Sequence, residues 1–275
     1  NADGSYYQAS DQVRNPLAMI ELTNDNTQTD RVLANLSANL SITKDLSYKV
    51  NLSTDQSKAT RKVTQDAALS YASDKGTATI NSVEQGSQSI ENLLYYNLNI
   101  QDQHKFNFLL GHSYQKFRTY YNSMTETGFE SSDVDNLNDL ELGKYTQATV
   151  ASGITINELQ SFFGRINYTL LDKYLFTVNF RADGSTKFGA NHKYGYFPSA
   201  AFAWRMNEEK FIQDLNVFSD LKLRLGAGVT GNQEIVSKVS SPTLGSVTGG
   251  SFDGGATVVS GYTLTRTPNP DLHWE

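Results

Sequence analysis

Between Glu158 and Thr230 apolar and polar residues alternate almost without interruption. Phe162, Gly164, Ile166, Tyr168 and Leu170 interleave with Ser161, Phe163, Arg165, Asn167 and Thr169. The next run sets Tyr174, Phe176, Val178 and Phe180 against Thr177, Asn179, Arg181 and Asp183. Leu221, Leu223, Leu225, Ala227 and Val229 then interleave with Lys222, Arg224, Gly226, Gly228 and Thr230. Period two predicts strands with one apolar and one wet face. Each run approaches the roughly 9–11 residues that cross a bilayer as a tilted strand.

The pattern recurs upstream. Val32, Ala34, Leu36, Ala38, Leu40 and Ile42 precede a tight Lys44-Asp45 turn, and Leu46, Tyr48, Val50 and Leu52 follow it. A third strand runs from Ile90 to Ile100, and Phe106, Phe108, Leu110 and Tyr114 mark a fourth after a turn at Asp102-Gln103. A seventh spans Tyr194–Met206, which makes about eight strands in all. Short turns, including Asp172-Lys173, alternate with long polar connections over Lys58–Ser87, over Met124–Asn157 and beyond Thr230. Long–short alternation is the rhythm of a membrane barrel. Asn207–Ser219 breaks it and reads as a helical turn N-capped by Asn207 at the rim. Tyr120, Tyr121, Tyr194, Tyr196, Phe202 and Trp204 cluster near strand ends, where amphipathic rings suit a membrane–water boundary.

Composition agrees with a barrel without requiring one. Charged residues make up 19%, below the roughly 25% of soluble domains. No window is apolar enough for a transmembrane helix. The mean hydropathy of -0.46 fits a barrel, because half of every strand faces water. A net charge of -6 leaves no nucleic-acid footprint. Zero cysteines exclude disulfides, thiolate metal sites and thiol nucleophiles. Asn1-Ala2-Asp3-Gly4 lacks a leader's basic and apolar regions, and Asp271–Glu275 reads as the approach to another strand. Both ends suggest a piece of a longer chain. A passive porin or adhesin barrel and a soluble β-sandwich binding module share the strand pattern and stand as alternatives.

Four ordered blocks carry a resemblance. They are Ser161-Phe162-Phe163-Gly164-Arg165-Ile166-Asn167-Tyr168 continuing through Lys173–Phe176 and Arg181–Ser185; Gly195-Tyr196-Phe197-Pro198-Ser199-Ala200 with Trp204-Arg205; Leu223-Arg224-Leu225-Gly226 with Thr230-Gly231-Asn232-Gln233; and Asn269-Pro270-Asp271-Leu272 with Trp274-Glu275. Together they resemble the barrel of SusC/RagA-type TonB-dependent transporters. The resemblance implies an all-β fold, in which an antiparallel meander of about eight long strands forms part of a transmembrane barrel of about 22 strands. It implies that residues 1–275 are a partial barrel domain without the plug, the TonB box or the C-terminal strands. It further implies outer-membrane localisation, a SusD-like surface lipoprotein, drive by TonB–ExbB–ExbD through the plug region, and import of oligosaccharides or peptides. Eight strands alone would leave two unpaired edges in lipid, which is prohibitively costly.

The remaining constellations argue against chemistry. Gly226–Gly231 spells G-x-G-x-x-G after a strand, with Asp253 downstream, but the required helix is interrupted by Asn232-Gln233 and Ser240-Ser241-Pro242. Asp133, Asp135, Asp139 and Glu141 crowd one loop without the glycine and distal Glu of a calcium loop. His104, His112, His192 and His273 form no ligand or catalytic spacing and read as rim or surface residues. The sequons at Asn35, Asn39, Asn51 and Asn167 fall inside strands, as by-products of wet-face patterning. No catalytic residue, cofactor or metal is expected. Asp55, Arg165, Arg181, Asp183, Lys222 and Arg224 are expected to face the lumen and to pair with one another or with a plug. Tyr71, Tyr120, Tyr121, Phe129 and Tyr145, in or beside the long loops, are the candidate ligand or partner contacts.

Overall fold

The computed structural model describes residues 6–7, 15–69, 76–129, 139–144, 148–237, 239–250 and 259–275. Eight strands form one antiparallel sheet in which each lies beside its sequence neighbour. They are β1 (Thr23–Ser41), β2 (Leu46–Gln65), β3 (Thr77–Ile100), β4 (His104–Thr127), β5 (Thr149–Leu170), β6 (Tyr174–Ser185), β7 (Tyr194–Arg205) and β8 (Lys222–Gly228). A separate hairpin pairs β9 (Thr243–Gly250) with β10 (Val259–Arg266). The expected meander is therefore present, and part of the polar stretch after Thr230 is a hairpin instead of a connection.

Two compact units divide the chain, and β1 to β5 contribute to both. In the larger unit, which holds β6 to β8 whole, the register keeps the two faces separate through four strands. Ile166 opposes Val178, which opposes Ala200, which opposes Ala227. On the other face Arg165 opposes Asn179, which opposes Ser199, which opposes Gly228. A one-residue slip would exchange the faces, so this register fixes which side is wet. The apolar face is open: Phe162, Val178, Phe180 and Leu225 are exposed side chains. Toward the short turns the face carries a run of stacked rings. Phe106 and Tyr168 lie 4.4 Å apart, Tyr168 and Phe176 5.9 Å, and Phe176 and Phe202 5.0 Å.

Two of the three short turns centre one residue earlier than expected. Gln101-Asp102 and Leu171-Asp172 take left-handed conformations, with φ of 53°, 56°, 53° and 57°. Two consecutive left-handed residues are what a tight hairpin turn needs. Asp102 is held there by the Asn99 amide at 2.7 Å, and Asp172 by Lys105 at 2.8 Å.

In the smaller unit the strands run further than the sequence suggests. Strands β1 to β5 are 19–24 residues long, about 60–80 Å of extended chain against a hydrocarbon core of about 30 Å. The expected connections Lys58–Ser87 and Met124–Asn157 are partly strand: β2 runs on to Gln65, β3 starts at Thr77, β4 runs on to Thr127 and β5 starts at Thr149. Cross-strand polar pairs hold these extensions. Arg31 grips Asp55 through two bonds of 2.6 and 2.9 Å, and Arg61 grips Asp25 in the same way. Ser123 donates to Asn81 at 2.6 Å, and Lys58 lies 3.4 Å from Glu84. A small apolar cap of Ala78, Phe129 and Leu140 closes the unit. A helix unforeseen in the sequence, α1 (Pro16–Glu21), starts where the Asn15 side chain accepts from the Leu17 and Ala18 amides. Pro16 at its first position needs no donor.

The rim element after β7 contains a short helix, α2 (Lys210–Gln213), but its cap is Glu209 and not Asn207. Glu209 gives no side-chain cap bond, because its carboxylate is used elsewhere. It accepts from Tyr174 Oη at 2.7 Å, Lys173 Nζ at 3.1 Å and Trp204 Nε1 at 3.2 Å. These hydrogen bonds, Tyr174's foremost, hold the Glu209 carboxyl below the usual carboxylate range.

Candidate functional site

The wet face of the larger unit, built by period-two alternation, carries cross-strand hydrogen bonds between side chains. Asn51 donates to Glu91 at 2.8 Å, Asn107 to Asn97 at 2.7 Å and Thr177 to Asn167 at 2.9 Å. Arg165 donates to Asn179 at 2.8 Å, and Asn179 donates onward to Ser199 at 3.1 Å. A polar hollow of about 430 Å³ opens on this face across β1 to β4, lined by Asn35, Lys49, Asn51, Ser89, Glu91 and Ser113 among others. Two of the sequons thus lie in the hollow, in keeping with wet-face patterning.

Arg181, Asp183 and Arg165 share this face, as do Lys222 and Arg224 at its β8 edge. Arg181 Nε meets both carboxylate oxygens of Asp183 at 2.7 Å, and its Nη2 donates to the buried Ser161 at 2.8 Å. The Arg181 guanidinium also lies 5.1 Å over the Phe163 ring, which itself occupies the space a side chain at Gly111 would fill. Asp55 pairs with Arg31, a partner that the sequence reading did not name. The register puts Lys222 opposite Arg205 and Arg224 opposite Ala203. Among the described residues Lys222 and Arg224 make no ion pair. The six expected charges therefore hold one mutual pair, Arg181–Asp183.

The aromatic candidates separate. Tyr120 and Tyr121 lie within β4 and not in a loop, and adjacent strand residues point to opposite faces. Tyr121 packs over Gly153 of β5. Phe129 is 4% exposed and packed against Ala78 and Leu140. Tyr71 and Tyr145 lie outside the described residues, as do Asp133 and Asp135 of the acidic loop; Asp139 and Glu141 sit at a single 3₁₀ turn, Leu140–Leu142. Among the histidines, His104 bonds Tyr168 at the rim, whereas His112 belongs to the wall and contacts Asn92 and Gln160. Among the described residues no helix follows the G-x-G-x-x-G glycines. Gly226 and Gly228 lie on the wet face opposite Ala201 and Ser199.

The sequence reading missed a cluster where three of the four motif blocks converge. Trp274 packs against Phe188 in a tilted pair at 4.8 Å and meets Phe197 edge-on at 5.3 Å. Its indole donates to Lys193 O at 2.9 Å. Gly195 and Gly231 flank the rings so closely that a Cβ on either would collide with Phe197 or Trp274. Asn232 N donates to Glu275 O at 2.8 Å and Gly189 N to Leu272 O at 3.0 Å, which close the clasp through the backbone. The available signal was split among the blocks: Gly195 beside Tyr196-Phe197 in one, Gly231 in the next and Trp274 in the last.

A meander of long antiparallel strands, with one face apolar and open and the other hydrogen-bonded, is a section of a transmembrane β-barrel wall. The chain belongs to the TonB-dependent receptor-like β-barrel family, whose model matches residues 1–275, and it is of the SusC/RagA type. It is 32% identical to TonB-dependent receptor P26 of Formosa agariphila over all of its own length and 28% of that protein. It is also 32% identical to TonB-dependent receptor SusC of Bacteroides thetaiotaomicron, over 86% of this chain and 23% of the relative. The RagAB peptide transporter structure matches with a TM-score of 0.84 and 24% identity, over 93% of this chain and 28% of that one. The last likeness is one of fold. The chain spans about a quarter of the length of the curated relatives that it matches.

Proposed function

We propose that residues 1–275 are a partial barrel domain of an outer-membrane, TonB-dependent importer. Its cargo is oligosaccharides or other glycan fragments, with peptides as the alternative class. The plug and TonB-contacting region would lie elsewhere in the longer protein, and a SusD-like lipoprotein would meet the extracellular side. The observation that carries this reading is the wet face: a sheet surface rich in amide, hydroxyl and charged groups, backed by an apolar outer face. Such a wall passes hydroxyl- or amide-rich solutes in water while its outside stays in lipid. Arg165, Lys222 and Arg224 would line the lumen, and Arg181–Asp183 would brace it. Tyr121 is the candidate aromatic contact best placed for a solute, since it shares the face of Ser123 and Asn81. The wall performs no covalent step. Uptake supplies the energy problem, which the inner-membrane machinery solves by moving the plug.

The test is growth and uptake by a strain lacking the complete gene, across a panel of oligosaccharides and peptides, with and without TonB. Loss of one substrate class in both the gene knockout and the TonB-deficient strain supports the importer. Uptake that persists without TonB identifies a passive barrel instead. A chain that is soluble and monomeric without detergent would overturn both in favour of a sandwich.

A further inference from the structure

In the larger unit a chain of polar side chains crosses the apolar outward face. Tyr48 Oη donates to Asn92 Oδ1 at 2.6 Å, and Asn92 Nδ2 lies 3.5 Å from His112 Nδ1. His112 Nε2 lies 3.2 Å from the Gln160 amide, whose oxygen accepts from Tyr194 Oη at 3.0 Å. This chain of side chains crosses the sheet from β2 to β7. It bridges β6 because Gly184 has no side chain: the Tyr194 ring lies where a Cβ would be. A line of amides, imidazole and phenols on a lipid-facing surface marks the level where polar headgroups begin.

Directly beside the line is a groove of about 490 Å³ with an apolar lining. Its walls are Leu94 and Leu110 on one side and Phe162, Ile166, Val178 and Phe180 on the other. Its floor is Gly164, which opposes Phe180 in register and leaves a notch one side chain deep. On β3, β4 and β5 alike, the next residue outward-facing from the groove belongs to the polar line: Asn92 beyond Leu94, His112 beyond Leu110 and Gln160 beyond Phe162. The His112 ring lies 4.9 Å from the Phe162 ring, which joins the two features. The polar line contains no lysine, arginine or carboxylate. The nearest outward cation, Lys116, is 3.6 Å from Glu158.

We propose that the Gly164 groove seats one acyl chain of an outer-leaflet glycolipid, whose sugar headgroup bonds the Asn92–His112–Gln160 line. The apolar walls match hydrocarbon, and neutral groups that both donate and accept match sugar hydroxyls. A phospholipid phosphate would find no lysine or arginine on this line. The proposal rests on the outer-membrane reading above, because only a lipid-facing wall presents the groove to an acyl chain.

Gly164 supplies a clean test. A Cβ there meets only Leu109 O, at 3.7 Å, so a larger side chain enters open space. The complete receptor, extracted from outer membranes in mild detergent, is analysed for retained lipid by native mass spectrometry. Wild type should retain glycolipid. Gly164→Leu should retain at least about tenfold less, because its side chain takes the space of several acyl methylenes. Its heat-modifiable migration and substrate uptake should be unchanged. His112→Phe keeps the groove and removes the headgroup contacts, and should shift retention from glycolipid toward phospholipid. Equal glycolipid retention by Gly164→Leu overturns the site, and retention of phospholipid by wild type overturns the headgroup assignment. Failure of the underlying reading is separate: a receptor that fractionates away from outer membranes overturns that reading before any lipid is measured.

Discussion

The aromatic clasp around Trp274 is open to a graded perturbation. Trp274→Ala removes two ring contacts, with Phe188 and Phe197, and the indole bond to Lys193 O. Aromatic pairs are worth about 0.5–1.5 kcal/mol each beyond area burial, and a hydrogen bond adds about 0.5–1.5 kcal/mol. The half-exposed indole also loses part of its buried area, so local opening should become easier by about 2–4 kcal/mol. At about 1.4 kcal/mol per factor of ten, that is a roughly 30- to 1,000-fold rise in the open population. Trp274→Phe keeps the ring contacts and loses only the donor, and should cost about 1 kcal/mol. Hydrogen exchange reads this directly, because the Gly189 and Asn232 amides donate to Leu272 O and Glu275 O inside the clasp. Both should exchange faster in the order wild type, Phe, Ala, while amides in the β6–β7 ladder stay protected. Equal protection of Gly189 and Asn232 in Trp274→Ala would refute the argument that the rings hold the segment. Gly195→Val supplies the converse, since its side chain collides with Phe197 and Trp274 and should open the same amides.

Three further outcomes follow from the wall and its rims. Glu209's carboxyl is held low by Tyr174, Lys173 and Trp204, so its contribution is present above the unfolded value and is lost as pH falls through the folded one. Trp204 fluorescence in a Trp274→Phe background should therefore hold steady down to about pH 5 and change below it, and Glu209→Gln should remove that acid transition. Leu171→Asn should stabilise the β5–β6 hairpin by about 0.5–1 kcal/mol, because Asn tolerates the left-handed turn at lower cost. Leu171 is 47% exposed and gives up little burial, so a higher urea midpoint checks this. Arg181→Met leaves Asp183 without its ion pair. With Arg181's side chain 42% exposed and Asp183's 12%, the cost should be about 1–2 kcal/mol, most of it recovered in the double variant with Asp183→Asn, as measured by unfolding of all three forms.

How far the fold was legible depended on whether the two faces differ. From Glu158 to Thr230 one face meets lipid and the other water, so alternation is sharp and the register of β5 to β8 follows from it. In Thr54–Gln65 and Thr77–Ser87 both faces are polar, so period two carries no contrast and the strands read as loops. What holds them is pairing across strands, such as Arg31 with Asp55, and that is visible only once a register is known. The turn centres were misplaced for a related reason: Gln101 and Leu171 take left-handed conformations without the Gly or Asn that announces one. Glu209 shows the local limit. Asn207 has the better capping chemistry, but the rings of Tyr174 and Trp204 draw the rim helix so that Glu209 becomes its cap.

The motif blocks were legible as a family signature but not as a place. Gly195, Gly231 and Trp274 lie far apart in sequence, and each alone is an ordinary residue near a strand end. Together they solve one steric problem. A Trp entering the wet side of a barrel wall must lie flat against the strands, and it can do so only where neighbouring Cβ atoms are absent. Gly195 on β7 and Gly231 just past β8 provide that floor, and Phe197 and Phe188 close around the ring. The Asn232–Glu275 backbone bond then fixes Glu275 beside the end of β8. The clasp therefore acts on alignment: it sets where the backbone after the β9–β10 hairpin returns to the wall. A register at that edge decides which residues face lipid and which face the lumen, because a slip of one residue exchanges every side chain between the two.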